Sequence, residues 1–483
     1  MIGKMLRRIP PLLWLAFPLA YFLYFFGLTA AGMVGPDEPR YASIGREMAR
    51  SGDWITPRLW GQPWFEKPAL LYWMTGAAFR MGLGPDIAPR LPVALMSIAF
   101  LAFYWWMLRR EFGCAVAWSA TLILSTSAGW WAYSQSGVPD LPLSAAFSAA
   151  MLLALPWVVG RDPHLLPYAS VMLGLAVIAK GPAPLVLAAP LALAWRSFRD
   201  LLRTRVIVPF LLVALPWYVL CYLRNGAPFL NEFFWVHNFQ RFTTASLQHP
   251  QPSWYFIPVL ALLLLPWTAL APLAAIGAKP FDRRRLYLLL WTLWTLVFFS
   301  ISVNKLPGYI LPLLPALAAL IALGLNEMRN AAPWLALAAL LLVAYPIAAP
   351  LLAVAIGSGL SRAARPEFQP LWLAPVAVAA LVWFLDTRGR RLAAIACLAV
   401  SATVGMVYLK LEMGRTLFAR SLWNRISTRA GDVCVASLDR SWRYGLNYYS
   451  TVPLPDCSQS PKPLQVIERP GRPPELVEAV DRH

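Results

Sequence analysis

The stretch GPDEPRYA, Gly35 to Ala42, follows the first long apolar run of the chain. It sets Asp37 and Glu38 side by side between two prolines, with Arg40 and Tyr41 directly after. Charged side chains are costly in hydrocarbon, so adjacent carboxylates mark a point where the chain has left it. The run before them, roughly residues 12–30, then reads as a membrane span.

The rest of the chain agrees. Of its 483 residues, 59% are hydrophobic and 13% charged, and the mean hydropathy is +0.56. A soluble protein of this length would need a charged surface that this chain cannot supply, so the sequence describes an integral membrane protein. The net charge of +19 is not a nucleic-acid signature, because most of the excess lies in short loops between apolar runs. The N-terminus, MIGKMLRRIPPLLWLAFPLAYFLYFFGLTAAG, imitates a secretory signal. Its apolar run of about 19 residues exceeds the roughly 7–15 of a signal's apolar region, and it reads as an uncleaved first span.

Apolar windows fall at roughly 12–30, 89–108, 114–131, 141–159, 165–180, 183–198, 206–223, 254–277, 286–303, 308–325, 332–356, 370–386 and 391–409. About thirteen spans are therefore expected. With Lys4, Arg7 and Arg8 inside, alternate loops carry Arg109 and Arg110, Arg161, Arg196 to Arg205, Lys279 to Arg285, Arg329, and Arg388 to Arg391. Positive loops face the cytoplasm, so the N-terminus is expected inside and the tail outside. Residues 1–410 form the expected transmembrane domain, and 411–483 a small outer domain.

Two outer loops are long. In the first, residues 31–88, EPRYASIGREMARSG and KPALLYWMTGAAFRMG suit short helices at the interface, or else a solvated loop. Tyr72, Trp73, Phe79, Trp60, Trp64 and Phe65 favour the interfacial alternative, since aromatic rings prefer the headgroup level. The second, residues 224–253, mixes aromatics with Glu232, His237 and Arg241. In the tail, VCVASLDR and LNYYSTV read as strands, and the proline-rich end reads as mobile. Of five cysteines, Cys434 and Cys457 are the only two in the tail, so a disulfide is expected there.

Charged residues recur at the outer ends of spans: Asp37, Glu38 and Arg40; Glu66 and Lys67 in WFEKP; Asp140 in SQSGVPDLP; Lys180 in IAKGPAP; and Lys305, joined by the phenol of Tyr309, in SVNKLPGYILP. Any one of them alone is most often an interfacial anchor. Gathered at one face, cations suit an anionic phosphate, and a carboxylate can take a proton or steady developing positive charge. Metal binding is weakly signalled, with four histidines and no His-x-x-x-His pair.

GPDEPRYA, GDWITPRLWGQPWFEKPALLYW, SGVPDLPLSAAF, AKGPAPLV and NKLPGYILPLLPALAAL together resemble the bacterial aminoarabinose transferases of lipid A. Those belong to the protein O-mannosyltransferase superfamily of GT-C glycosyltransferases. The likeness covers about the first 330 residues, with five motifs in order, and fades beyond. It implies an all-α polytopic membrane protein of GT-C type, with interfacial helices and a small α/β periplasmic C-terminal domain. It implies a bacterial inner-membrane enzyme that takes a sugar, 4-amino-4-deoxy-L-arabinose among the candidates, from a polyprenyl-phosphate donor. The acceptor would be lipid A or a related glycolipid, and a monomer is expected. By the same likeness Asp37 and Asp140 are the catalytic acids. Arg40, Lys67, Arg241, Lys305 and Tyr309 lie around the donor phosphate, with Glu38 and Lys180 in support. Glu66 matches a residue associated with a divalent ion, zinc or magnesium, and His237 is its counterpart.

Two other classes compete: transfer from the same donor to a protein, and a lipid-linked sugar flippase with no chemistry. Transporters tend to place charged sites at the bilayer midplane and to show internal repeats. Here the charges gather at one face and no repeat is visible, which favours an enzyme.

Overall fold

The computed structural model describes residues 11–240, 250–279, 282–358, 367–415, 418–469 and 472–478. Every expected apolar window carries helix. Among the described residues, nine helices are long and apolar enough to cross a bilayer. The others are short or interrupted. The first is α-helical over Pro11–Ala20 and π-helical over Tyr21–Phe25, while Cys114–Ser125 has only 12 residues.

Two helices form the axis of the bundle. The spanning windows of Asp140–Val158 and Pro307–Glu327 are wholly buried, whereas only 22% of that in Thr204–Asn225 is. The central pair is rich in alanine, with leucine between, and admits close neighbours. At its tightest crossing, a Cβ on Gly324 would lie 2.1 Å from the Leu273 carbonyl. Outer helices turn Leu212, Leu223, Ile257 and Val404 to the surroundings, as chains facing lipid do.

Both stretches marked in the first outer loop are helical, at Asp37–Ser51 and Leu70–Arg80. Tyr72 and Phe65 are enclosed by protein rather than left at headgroup level. Between these helices lies a hairpin of β1 (Arg58–Leu59) and β2 (Gln62–Pro63), turned by Trp60 and Gly61.

In the tail, β3 (Val433–Ser437) pairs parallel with β4 (Leu464–Ile467), which pairs antiparallel with β5 (Glu475–Glu478). The expected strand LNYYSTV is instead largely helical: Leu446 to Ser450 end the helix Arg440–Ser450, and Thr451 caps it. Asp439 caps its start by accepting from the Ser441 N–H. Trp442, Gly445 and Leu446, with Tyr449 partly buried beside them, form one stripe against the tail's core, while Tyr448 packs on the first loop with Met33 and Ala42. Tyrosines that suit a strand here serve a helix, because the packing period overrides propensity. The proline-rich end is also more ordered than expected, since it supplies β4 and β5. Cys434 and Cys457 are bonded, as expected. The tail is fastened to the first loop: Arg46 donates to the Tyr448 carbonyl at 2.7 Å, and the Tyr449 hydroxyl donates to Asp86 at 2.6 Å. Arg420 also bridges to Asp86 at 3.0 Å.

Successive residues of a helix point about 100° apart, so Asp37 and Glu38 cannot share a direction. Glu38 is buried against Arg90. Arg90 spends two donors on Glu38 (2.7 and 2.6 Å) and the rest on the carbonyls of Leu28, Ala31 and Gly32. Glu38 also accepts from the Val34 and Gly137 N–H groups. Removing one partner of such a pair leaves an uncompensated buried charge. Glu38→Gln should therefore lower the unfolding free energy in detergent by about 3–5 kcal/mol. An unchanged unfolding midpoint would show that the pair does not hold this end of the bundle.

Candidate active site

Asp37 and Asp140 each open a helix after a proline, in the matching sequences Pro36-Asp37-Glu38-Pro39 and Pro139-Asp140-Leu141-Pro142. A proline near a helix start has no N–H to waste and a backbone already set for the helix. An acid in the first turn is favoured by the N-terminal end of the helix dipole.

From these starts two charged groups are built. In the first, Arg40 bonds to Asp37 one turn back and to Glu66 at 3.1 Å. Glu66 also pairs with Lys67 at 3.3 Å and accepts from the Tyr41 hydroxyl at 3.3 Å. Burial alone would pull the Arg40 guanidinium down, but Glu66, then Tyr41 and Asp37, outweigh it and hold it above its ordinary value. Arg40 is thus a permanent cation. Burial first, then the Glu66 charge, raise the Tyr41 hydroxyl well above the usual phenol range, so it stays a donor. Asp37 is the open member: its side chain is 43% exposed, against 6% for Arg40 and Glu66.

In the second group Lys180 donates to Asp140 at 2.6 Å and sits 4.8 Å from the centre of the Tyr309 ring. Lys180 ends the helix antiparallel to that of Asp140, and Tyr309 lies in the first turns of the other central helix. Gly308 lets these elements close, because a Cβ there would fall 2.2 Å from the Asp140 Oδ1. Tyr133 joins the groups. Its hydroxyl is raised by burial first, then by Asp140 and, more weakly, by Tyr255 and Asp37.

A cavity of about 400 Å³ runs between the two groups. Glu66, Lys67, Lys180, His237, Ser302 and Tyr309 supply its polar lining, to which neither Asp37 nor Asp140 belongs. Leu143, Val186, Phe234, Phe298 and Phe299 supply apolar lining, with Phe299 packed 5.2 Å from the Tyr309 ring. Such a chamber accepts an amphiphile whose anionic part meets the lysines and whose chain lies along the aromatic rings.

The expected site residues are therefore distributed as follows. Asp37, Arg40, Glu66 and Lys67 form one group and Asp140, Lys180 and Tyr309 the other, with His237 on the shared wall. Glu38 points away into the bundle, holding Arg90 rather than lining the cavity. Lys305 gives its ammonium to the Gln251 carbonyl at 2.9 Å and to that of Ser302. It lines a separate, shallower cleft, and burial lowers its ammonium below the ordinary lysine value. Arg241 lies outside the described residues. The sequence did not mark Arg90, Tyr133 or Tyr444, and it offered Trp64 as an interfacial ring rather than a partner of Arg40. Arg90 carried a signal, as a lone arginine opening the 89–108 window.

The donor set does not fit a divalent ion well. Glu66 is already matched by two cations, and His237 is 3.9 Å from Glu232. Among the described residues no group of three His, Cys, Asp or Glu side chains could hold a metal. No step is derived through one.

Residues 66–222 match the family model described as dolichyl-phosphate-mannose-protein mannosyltransferase. The undecaprenyl phosphate-alpha-4-amino-4-deoxy-L-arabinose arabinosyl transferase of Serratia proteamaculans is 34% identical over 324 residues, covering 62% of this chain and 56% of that protein. A second relative of that name, from Pseudomonas fluorescens, is 35% identical over 340 residues, covering 66% of this chain and 57% of the relative. The chain thus spans under two thirds of their length. The crystal structure of ArnT from Cupriavidus metallidurans bound to undecaprenyl phosphate superposes with a TM-score of 0.77 at 24% identity. That match covers 98% of this chain and 99% of ArnT. The fold is GT-C. Arabinosyltransferase EmbB from Mycobacterium smegmatis shares it more distantly, at a TM-score of 0.51 and 14% identity.

The Gly308 contact makes a test of the second group. Gly308→Ala should cost about 1–3 kcal/mol of stability by overpacking, read from thermal unfolding. In an Asp140→Ala background most of that cost should vanish, because the clashing carboxylate is gone. An equal cost in both backgrounds would separate Gly308 from Asp140.

Proposed function

We propose that this chain is a membrane glycosyltransferase. It would move a sugar, 4-amino-4-deoxy-L-arabinose by likeness to the named relatives, from a polyprenyl-phosphate donor to lipid A or a related glycolipid. The observation that carries this reading is the cavity, whose lining combines two lysines and Tyr309 with several aromatic rings. A prenyl chain suits the wall, and its phosphate suits Lys67 and Lys180. The sequence similarity to arabinosyl transferases and the fold shared with ArnT give further support.

Asp37, Glu66 and Asp140 supply three negative charges, and Arg40, Lys67 and Lys180 three positive ones. An arriving phosphate would compete for the lysines and leave Glu66 and Asp140 freer, while Asp37 stays held by Arg40. In transfer, the bond from the anomeric carbon to the donor phosphate oxygen breaks, and polyprenyl phosphate leaves as an anion held by Lys67. The same carbon bonds to an acceptor oxygen. A lipid A phosphate is already ionised, so Asp37 would stabilise oxocarbenium-like charge rather than take a proton. For a hydroxyl acceptor Asp37 would be the base.

On this reading the protein lies in the bacterial inner membrane, N-terminus cytoplasmic, with residues 411–483 as a periplasmic domain beside the site. The family match described as a protein mannosyltransferase supports one alternative, a protein acceptor. Purified protein should be given the lipid-linked sugar with lipid A or with a serine- and threonine-rich peptide, and the products separated. Labelled lipid A is the expected product. Labelled peptide would favour the alternative, and an untouched donor would defeat both.

Asp37→Asn and Asp140→Asn should each insert normally and lose at least about tenfold in turnover, roughly 1.4 kcal/mol of transition-state stabilisation. Their double variant should lose much less than the product, since residues of one site are non-additive. Lys67→Ala should weaken donor binding and turnover, and Lys67→Arg should restore part, as a fork differs from a point charge. Near-normal turnover at matched membrane levels would remove the residue concerned from the mechanism.

A further inference from the structure

Arg40 is only 5% exposed, yet part of its cover comes from far along the chain. Three rings surround its guanidinium: Tyr41 at 5.3 Å, Trp64 at 5.5 Å and Tyr444 at 5.5 Å from their centres. The first two belong to the first loop. Tyr444 belongs to the tail helix Arg440–Ser450. Its ring is backed by Trp60, stacked with centres 5.6 Å apart and planes 20° from parallel, and Arg440 lies 5.9 Å from the same ring.

Trp60 is held against its local preference. It is the first residue of the two-residue turn between β1 and β2, with φ of 53°, followed by Gly61 at 82°. Such turns favour Asn, Asp or Gly at the first position, where a bulky side chain is strained. Its buried indole N–H has no hydrogen-bond partner among the described residues. The local conformation and hydrogen bonding therefore offer no reason for a tryptophan here, and its stack on Tyr444 does. Backbone strain maintained by surrounding contacts is a mark of functional placement.

We propose that Tyr444, clamped by Trp60, is a positioning residue of the active site, which is incomplete without the tail domain. The ring fixes Arg40, whose donors go to Asp37 and Glu66, and so fixes the Asp37 carboxylate against the donor sugar. This rests on the transferase reading given above. A carboxylate loosened by about 1 Å can cost on the order of a hundredfold in rate. The effect should fall on kcat, because Lys67 and Lys180 line the cavity proposed for the donor phosphate, whereas Trp60 and Tyr444 are not among its lining residues.

The test uses the full chain in detergent, with undecaprenyl-phosphate aminoarabinose as donor and lipid A as acceptor. Tyr444→Ala should lower kcat by about tenfold or more while the donor KM stays within about twofold. Tyr444→Phe, which keeps the ring, should retain most of the activity. Trp60→Asn suits the turn better than the native residue, so a lower kcat in that variant cannot come from a broken hairpin. Phenylglyoxal labelling mapped by mass spectrometry reports on the clamp without turnover. Arg40 should be protected in the wild type and in Tyr444→Phe, and modified in Tyr444→Ala. Wild-type kcat in Tyr444→Ala, equal loss in the Phe and Ala variants, or an Arg40 still protected in Tyr444→Ala would overturn the proposal. A wild type that transfers nothing would defeat the transferase reading, while Arg40 labelling would still decide the clamp.

Discussion

The buried pair of Glu38 and Arg90 joins four parts of the chain that could otherwise settle independently. Arg90 opens the Leu91–Phe112 helix and holds the carbonyls of Leu28, Ala31 and Gly32, where the first span ends. Glu38 holds Arg90 from the first-loop helix and accepts from Gly137, three residues before Asp140. Both catalytic candidates thus hang from one ion pair, Asp37 as the next residue and Asp140 through the loop that leads into its helix. A buried charge pair is often no more stabilising than an apolar substitute, but it tolerates only one geometry. That intolerance is useful where two carboxylates from distant segments must be set against the cations of one small region.

The adjacency of Asp37 and Glu38 follows from the same constraint. On a helix, neighbouring carboxylates must point different ways, so one can be sunk into the bundle while the other stays partly exposed beside Arg40. Read from the chain alone, Glu38 seemed an assistant to Asp37 in the site. It acts instead as an anchor on the opposite side. Helical geometry could have separated the two directions in advance, but it could not say which one faced protein, because both flanking prolines permit either orientation.

What was legible in the chain was what hydropathy and local chemistry control. Apolar windows became helices, the tail's two cysteines met, and the five ordered motifs marked the end of the bundle where charges gather. Asp140 and Lys180 stood out because each adjoins an apolar span with few other charges, and they pair with each other. The less legible features depend on tertiary contact. Lys305 resembled the other lysines at span ends, yet its ammonium serves two carbonyls in a neighbouring cleft. LNYYSTV has strand-like residues, and only the stripe buried against the tail's core makes it a helix. Tyr444 and Arg40 meet across most of the chain's length, and no local pattern announces such a contact.

Aromatic residues at this end do two kinds of work that composition cannot separate. Some lie along the cavity, where Phe234, Phe298 and Phe299 offer a surface suited to a lipid chain. Others enclose charge. The rings around Arg40 exclude water without supplying a competing acceptor, which strengthens the ion pairs that remain. An arginine buried among carboxylates alone would be held as tightly but would draw negative charge toward the site. Rings avoid that, leaving the three named cations and three named carboxylates in balance. On the proposed reading, an incoming donor phosphate would meet an electrostatically even chamber in which it competes with Glu66 and Asp140 for their lysines, while Asp37 stays fixed on Arg40.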